Sequence, residues 1–405
     1  MRFRFTLPLS PDAPRLPTSA GAALNSMGHQ AQLSDHRLTV GVAPNVDTLY
    51  SLAWLDLDAG DFYLETPDFG PRYYSFQICE SDTRTAAVFG QRTEGAHAPA
   101  VHIRRAGGGE RSAPGYTTVT CDSRYVMIVG RILVEPTVSD DTDLVRELQN
   151  QIILRGPACD SCTTEADSPD LVVLDRNAEI FDPTGFIKSL ENVLKDMNLD
   201  DLPGDIRHAV ELLGMHGTPV SLTEDETAAV SAGLRDGFNM IEHHVRSLGR
   251  VANGWAINDN GSEFGSDYLL RATVAHAQIF VNPSTEAIYP VCELDSEGEE
   301  LDGRSNRYQL VFDRDNLPPA DAFWSVTMYH KHGLLVDNAL GRYAIGDRTT
   351  SIKHGGGSTV IRIQSSEPDE GPDNWLPAPP GPFRLMLRLY SPREGRWVPP
   401  AVTRL

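Results

Sequence analysis

The sequence predicts a mainly β protein that also carries helices, a multi-domain α+β chain. Two antiparallel sandwich- or jelly-roll-like domains are expected with a helical segment between them. Three observations predict it. Short apolar or alternating runs, split by turn residues, fill residues 44–135. The pattern changes to helical spacing over roughly 141–280 and returns to strands beyond 287. Gly (34) and Pro (28) together make about 15% of the 405 residues, which suits a turn-rich fold. The expected division is an N-terminal β domain at 1–140, a helical connector at 141–280 and a C-terminal β domain at 281–405.

The elements follow in order. Residues 1–40 are polar and turn-rich. TLYSLAWLDL, DFYLETP, YYSFQICE, AVHIRR, YTTVTC and YVMIVGRILVE read as strands, separated by turns such as DAGD, PDFGP and RAGGGERSAPG. VMIVGRILV is apolar on both faces and is expected at the centre of a sheet. Asp140 to Asp143 offer N-cap chemistry to the helical run LVRELQNQIIL. PTGFIKSLENVLKDM carries Phe186, Leu190 and Leu194 at i, i+4, i+8, an amphipathic stripe. PGDIRHAVELLG and the long TEDETAAVSAGLRDGFNMIEHHVRSLGR are also helical. Then come IYPVCEL, YQLVF, FWSVTMYH, LLVDN, STVIRIQ and FRLMLRLY, with LDSEGEELDG as an acidic hairpin loop.

Charge and composition exclude several functions. The formal net charge is −21, and a field of that sign repels nucleic-acid phosphates and anionic lipid surfaces, so neither partner is expected. No run approaches the ~18 apolar residues of a membrane span, and MRFRFTLPLSPDAP lacks the apolar run of a leader, so a cytoplasmic protein is expected. Five cysteines are an odd, sparse set for a disulfide scaffold. The chain has no P-loop, no GxGxxG after a strand, no HExxH and no GxSxG elbow.

Five constellations can carry chemistry. In PNVDTLYS, Asn45, Asp47, Thr48, Tyr50 and Ser51 crowd a strand start; Asp47 can serve as acid or base and Tyr50 as proton donor, or Asn45 and Asp47 cap the turn. Arg72, Arg92, Arg131, Arg342 and Arg388 lie on or beside strands and can converge on an anion, or pair internally. Arg131 and Arg388 sit in highly apolar strands, so each needs a carboxylate or carbonyl partner. His330 and His332 in MYHKHG share a strand face and can share a metal with a carboxylate such as Asp337, or be surface residues. Cys159 and Cys162 form a lone CxxC, which reads as a redox pair, half a zinc site or free loop thiols. Tyr73, Tyr74, Phe323, Trp324, Tyr329 and Trp375 can floor a ligand pocket or fill a core, and Trp375 is expected in a loop.

Long stretches of the chain resemble one family. PNVDTLYSLAWLDL, RYYSFQICESD, GQRTEG and VGRILVE resemble the N-terminal half, and LDGRSNRYQLVF, LPPADAFWSVTMY, LVDNALGRYAIGD, NWLPAPPGPFRLMLRLYSP and WVPP the C-terminal half, of bacterial tandem proteins catalogued as domains of unknown function 1254 and 1214. The resemblance implies two β-sandwich-like domains with helices between and around them, and oligomerisation. The polar positions that match its motifs are Asn45, Asp47, Thr48, Tyr50, Arg72, Tyr74, Arg92, Trp324, Tyr329, Asn338, Arg342, Asn374, Trp375 and Arg388. The chain departs from the pattern at His330, where the family usually has aspartate, and at the Gly356-Gly357-Ser358 turn, where it has Asp-Gly-Ser.

The leading expectation is an enzyme, a hydrolase or a lyase/isomerase, acting on a small polar or anionic substrate where the β domains meet. Asp47, Tyr50, Arg72 and Arg92 would be catalytic, and Asn45, Thr48, Tyr74, Trp324, Tyr329, Asn338, Arg342, Asn374 and Trp375 would bind substrate. No organic cofactor is expected; a divalent metal at His330 and His332 would make a metal-assisted hydrolase. The second class, ahead of the metal-assisted hydrolase, is a non-catalytic ligand-binding or assembly module. The expected partners are a small-molecule ligand and a second copy of the chain.

Overall fold

In a computed structural model of the chain, the described residues are 17–38, 42–107, 113–158, 182–194, 202, 204–215, 221–353, 355 and 357–405. Alternation along the strands decides the layering. In the first sandwich, strands β1 (Met27–His29), β2 (Thr48–Asp56), β3 (Phe62–Glu65), β4 (Tyr74–Glu80), β5 (Thr85–Gly90), β6 (Val101–Arg105), β7 (Thr117–Cys121), β8 (Tyr125–Leu133) and β9 (Ile153–Arg155) form two sheets. Their orders are β1-β2-β8-β4-β5 and β7-β6-β3-β9. Leu49, Leu55, Phe76, Ile78, Val126, Ile128 and Ile132 of the first sheet pack on Phe62, Leu64, Val101 and Ile103 of the second. Gly130 of β8 faces this core, and a Cβ there would stand 2.7 Å from the Phe76 ring. The doubly apolar β8 is the central strand, as its pattern predicts, because its other face is also covered.

The helices follow. After a single turn at Gln91–Glu94, the first longer helix is α1 (Asp141–Gln149); the chain then turns into β9, so Ile153 and Leu154 at the end of the predicted helical run lie in a strand paired with β3. Next are α2 (Pro183–Leu194), α3 (Gly204–Leu212), α4 (Glu224–Val245) and α5 (Tyr268–Ala277). A capping box starts α4: Glu226 N–H donates to the Thr223 hydroxyl, and Glu226 accepts from Thr223 N–H at 2.8 Å. Ile187 and Val210, with Phe186, Leu190 and Val230, give these helices a core of their own.

The second sandwich contains β10 (Arg250–Ala252), β11 (Trp255–Ile257), β12 (Ala287–Ile288), β13 (Val291–Cys292), β14 (Tyr308–Asp313), β15 (Ala320–His330), β16 (Ala344–Gly346), β17 (Ser358–Gln364), β18 (Trp375–Pro377), β19 (Phe383–Pro392) and β20 (Val402–Arg404). Its larger sheet runs β10-β11-β13-β19-β15-β16, with β12 also on β19, and its smaller sheet β18-β17-β14-β20. Pairing is antiparallel except for β6–β7 and β17–β18. Trp324, Val326 and Met328 of β15 and Leu385, Leu387 and Leu389 of β19 point into the sandwich core. The alternate residues, Phe323, Ser325, Thr327, Tyr329, Arg384, Met386, Arg388 and Tyr390, point the other way, towards the first sandwich and the helices.

Tyr73 and Leu133 of the first sandwich pack with Ala287, Phe323 and Tyr390 of the second. The order of layers is therefore small sheet, large sheet, large sheet, small sheet. The two large sheets meet face to face across a layer that holds many polar side chains. Among the described residues no helix is long and apolar enough to cross a membrane.

Candidate functional site

Polar residues gather in two places, and the layer between the sandwiches is the first. The Asn45 carboxamide closes the turn before β2 by accepting from Asp47 N–H at 2.7 Å, and donates to the Tyr390 hydroxyl at 2.6 Å. Asp47 accepts from the Ser325 hydroxyl at 2.6 Å and from Arg348 Nη2 at 2.9 Å. The Tyr329 hydroxyl donates to the Pro44 carbonyl at 2.6 Å and accepts from Arg388 Nη2 at 2.7 Å. Arg388 also donates to the Ala43 carbonyl and the Thr327 hydroxyl. Thus strands β15 and β19 grip the 43–47 turn.

Arg131 lies beside Tyr50 in the β2–β8 register, its guanidinium carbon 5.4 Å from the Tyr50 ring centre. It donates to Gln77 Oε1, Asn282 Oδ1 and the Phe280 carbonyl. The hydrogen-bond partners of both buried arginines are carbonyls and hydroxyls, which satisfies the expected need without a directly bonded carboxylate. Phe280 reaches Arg131 because Ile279 and Phe280 turn out of α5 at positive φ, 28° and 50°. Arg92 Nε donates to Glu286 at 2.8 Å, and Glu286 also takes the Tyr73 hydroxyl at 2.8 Å.

The other expected site residues are dispersed. Arg72 makes a fork to both Asp141 oxygens at 2.6 Å and donates to the Leu133 carbonyl. The same carboxylate takes Glu135 N–H, so Asp141 ties the loop before α1. Tyr74 stacks on Phe69 inside the first core, where burial pushes its phenol up to about 12. Thr48 is buried, and its hydroxyl has no partner among the described residues. Trp324 fills the second core against Phe312. Asn338 closes its own loop by accepting from Leu340 N–H and Arg342 N–H. Arg342 binds the Asp373 and Trp375 carbonyls, and Asn374 binds the main chain of Lys353 and Val360. Trp375 begins β18 rather than sitting in a loop, because its segment pairs in parallel with β17, and its indole N–H donates to the Gln364 carbonyl. Cys159 and Cys162 lie outside the described residues.

The second place is a cleft of about 540 Å³ between α4, the end of α5 and the β15–β19 end of the second sandwich. Phe238 and Glu242 of α4 and Arg246, which caps its C-terminus, line it at i, i+4, i+8. His276 of α5 bonds Glu242 through Nε2 and meets the Phe238 ring edge-on. Lys331, His332 and Arg384 form the opposite wall. His330 ends β15 and its Nδ1 accepts from His332 N–H at 3.0 Å. Burial holds the His330 imidazole below its usual range, and the charges of His332 and Arg384 push the same way. Asp337 stands by His36 rather than by these histidines. Among the described residues, no three His, Cys, Asp or Glu side chains are placed to hold a metal ion.

Family models match both halves of this architecture. One described as protein of unknown function (DUF1254) matches residues 24–156, and one described as protein of unknown function (DUF1214) matches residues 286–394. The chain belongs to this tandem family. In the DUF1254–DUF1214 frame, the polar layer is where the two matched segments face each other. The cleft draws Glu242 and His276 from the stretch between the matches and Lys331, His332 and Arg384 from the DUF1214 match. The chain is similar to a crystal structure of a Vibrio parahaemolyticus protein, with 21% identity, a TM-score of 0.62, and 94% of this chain and 92% of that one covered. A protein of Burkholderia cenocepacia gives 11% identity and a TM-score of 0.48 over 94% and 81% of the two chains. No curated protein matches.

Sequence reasoning did not reach Glu242, His276, Glu286, Arg348 or Arg384 as functional or pairing residues. For Arg384 a signal exists: the alternation in FRLMLRLY puts it on the same strand face as Arg388. For the Glu242–His276 pair none does, since the two lie on different helices.

Proposed function

We propose that the chain is an enzyme that works by general acid–base chemistry on a small polar or anionic substrate, as a hydrolase or a lyase/isomerase. The reaction is placed in the cleft beside α4. One observation carries the reading: the Glu242–His276 pair forms part of the wall of a cleft of substrate size. A carboxylate bonded to one ring nitrogen orients an imidazole and stabilises a proton taken up by it, which is what a general base needs. Of the four residues expected for this work, Asp47, Arg72 and Arg92 each hold an internal partner already, and the Tyr50 ring lies against Arg131. The proton-transfer role is therefore assigned to His276.

The test is turnover of a pool of small esters, lactones, hydroxy acids and oxo acids, followed by proton NMR. The wild-type chain converts at least one component. His276→Ala lowers that rate about 10²-fold or more, while the melting temperature stays within a few degrees. A pool left unchanged, or turnover undiminished in His276→Ala, overturns the reading.

A further inference from the structure

We propose that Arg384 and Lys331 are the anion receptor of this cleft, and that its ligand carries an oxyanion, either a carboxylate or a phosphate. As a statement about substrate this rests on the acid–base reading above; as a statement about binding it stands alone.

The Arg384 side chain is only 8% exposed, yet its Nε has no hydrogen-bond partner among the described residues. The nearest carboxylate oxygen, Glu293 Oε1, stands 3.7 Å from Nη1, beyond hydrogen-bond length. A buried guanidinium left this short of acceptors is costly unless something completes it. The fold nevertheless makes room for it. Gly333 turns at φ +79°, and a Cβ there would stand 1.9 Å from Arg384 Nη2. Glycine leaves the guanidinium that space and adopts that backbone angle without strain.

The charges around it point the same way. Glu242 is engaged by His276, while Glu293 and Glu300 are engaged by Arg246. Lys331, two residues before Gly333, is exposed and has no ion pair among the described residues. The three cleft carboxylates therefore all have cationic or imidazole partners; on the opposite wall Arg384 only shares Glu293 with Arg246, and Lys331 has no ion pair among the described residues. A planar guanidinium fork with a flexible ammonium beside it suits an oxyanion.

The experiment is calorimetric titration of the full chain with succinate, with inorganic phosphate and with neutral succinamide. Succinate or phosphate binds and succinamide does not, and the binding weakens as salt is added. Lys331→Ala and Arg384→Gln each weaken it about tenfold or more. The Gly333 amide resonance shifts as the anion is added. Should Arg384→Gln fail to fold, Lys331→Ala and Arg384→Lys, which keeps the charge and loses the fork, carry the test. Binding of neither anion at millimolar concentration, equal binding of succinamide, or binding unchanged in Lys331→Ala and the Arg384 variant overturns the receptor. His276→Ala reads only the acid–base role, because it frees the Glu242 carboxylate in the same cleft; anion binding is read in the Lys331 and Arg384 variants. Loss of turnover in His276→Ala without anion binding in the wild type would leave the acid–base reading standing and the receptor refuted.

Discussion

The layer between the sandwiches and the cleft beside α4 use the same residue types and differ in how far their hydrogen bonds are already made. In the layer, Arg131 and Arg388 each hold three protein acceptors, and Asp47 holds a serine and an arginine. In the cleft, Arg384 holds a single carboxylate at ion-pair distance. A satisfied buried network resists change, because removing one member leaves the others desolvated and unpaired. An incomplete one is stabilised by whatever completes it. Arginine in an apolar strand is therefore no guide to function until its acceptors are counted. The layer joins the two sandwiches through bonds already made, and the cleft is where the proposed receptor lies.

The sharpest way to break this contrast is Asp47→Ala. The side chain is 9% exposed and bonds Arg348 across the domain boundary. Its loss leaves Arg348 with the Val134 carbonyl and Asp347 at 3.9 Å, strands the Ser325 hydroxyl, and is expected to cost about 3 kcal/mol in a denaturant titration. A variant as stable as wild type would show that the layer does not hold the domains together. Tyr329→Phe is a smaller cut. It removes the hydroxyl that donates to Pro44 and accepts from Arg388, and is expected to cost roughly 1–3 kcal/mol. Both variants are expected to keep the anion-binding affinity of the cleft, since neither residue lines it.

Much of the fold was legible in the sequence because it rests on periodicity. The two strand regions, the turn to helix near residue 141 and the central place of β8 all follow from which positions are apolar. The candidate site was less legible for a physical reason. Asn45, Asp47, Tyr329 and Arg388 sit at strand starts or on strand faces, where a catalytic group and a cross-domain bond look alike in one dimension. Telling them apart needs the partners, and those lie far off in sequence: Asp47 meets Arg348, and Asn45 meets Tyr390. Arg72 gave no hint of Asp141, because that aspartate reads as helix-capping material. His332 was in view from its spacing to His330, but the wall it faces is built by α4 and α5, whose placement no local pattern records.

Asp347 sharpens the comparison from inside the layer, with the smallest expected effect. It follows Gly346 at the end of β16, accepts from Trp324 N–H at 3.2 Å, and has Arg348 Nε 3.9 Å away. Burial pushes its carboxyl from 3.8 up to about 6; the Trp324 N–H and the Arg348 charge oppose the rise, and the Asp47 charge adds to it. The sign follows from proton binding. The folded chain holds this proton more tightly than the unfolded chain, so its contribution favours folding below about pH 4 and is lost as pH rises through about 6. The side chain is 36% exposed, so solvent screening reduces the effect to on the order of 1 kcal/mol. Asp347→Asn keeps an acceptor for Trp324 and removes the charge. It is expected to raise stability above pH 6, to converge with wild type near pH 4, and to flatten the decline between. Denaturant titrations at pH 4, 5, 6 and 7 measure this directly. If the two curves run parallel, Asp347 is as well paired as Asp47; if they diverge as expected, the joint between the sandwiches weakens as this one carboxyl ionises.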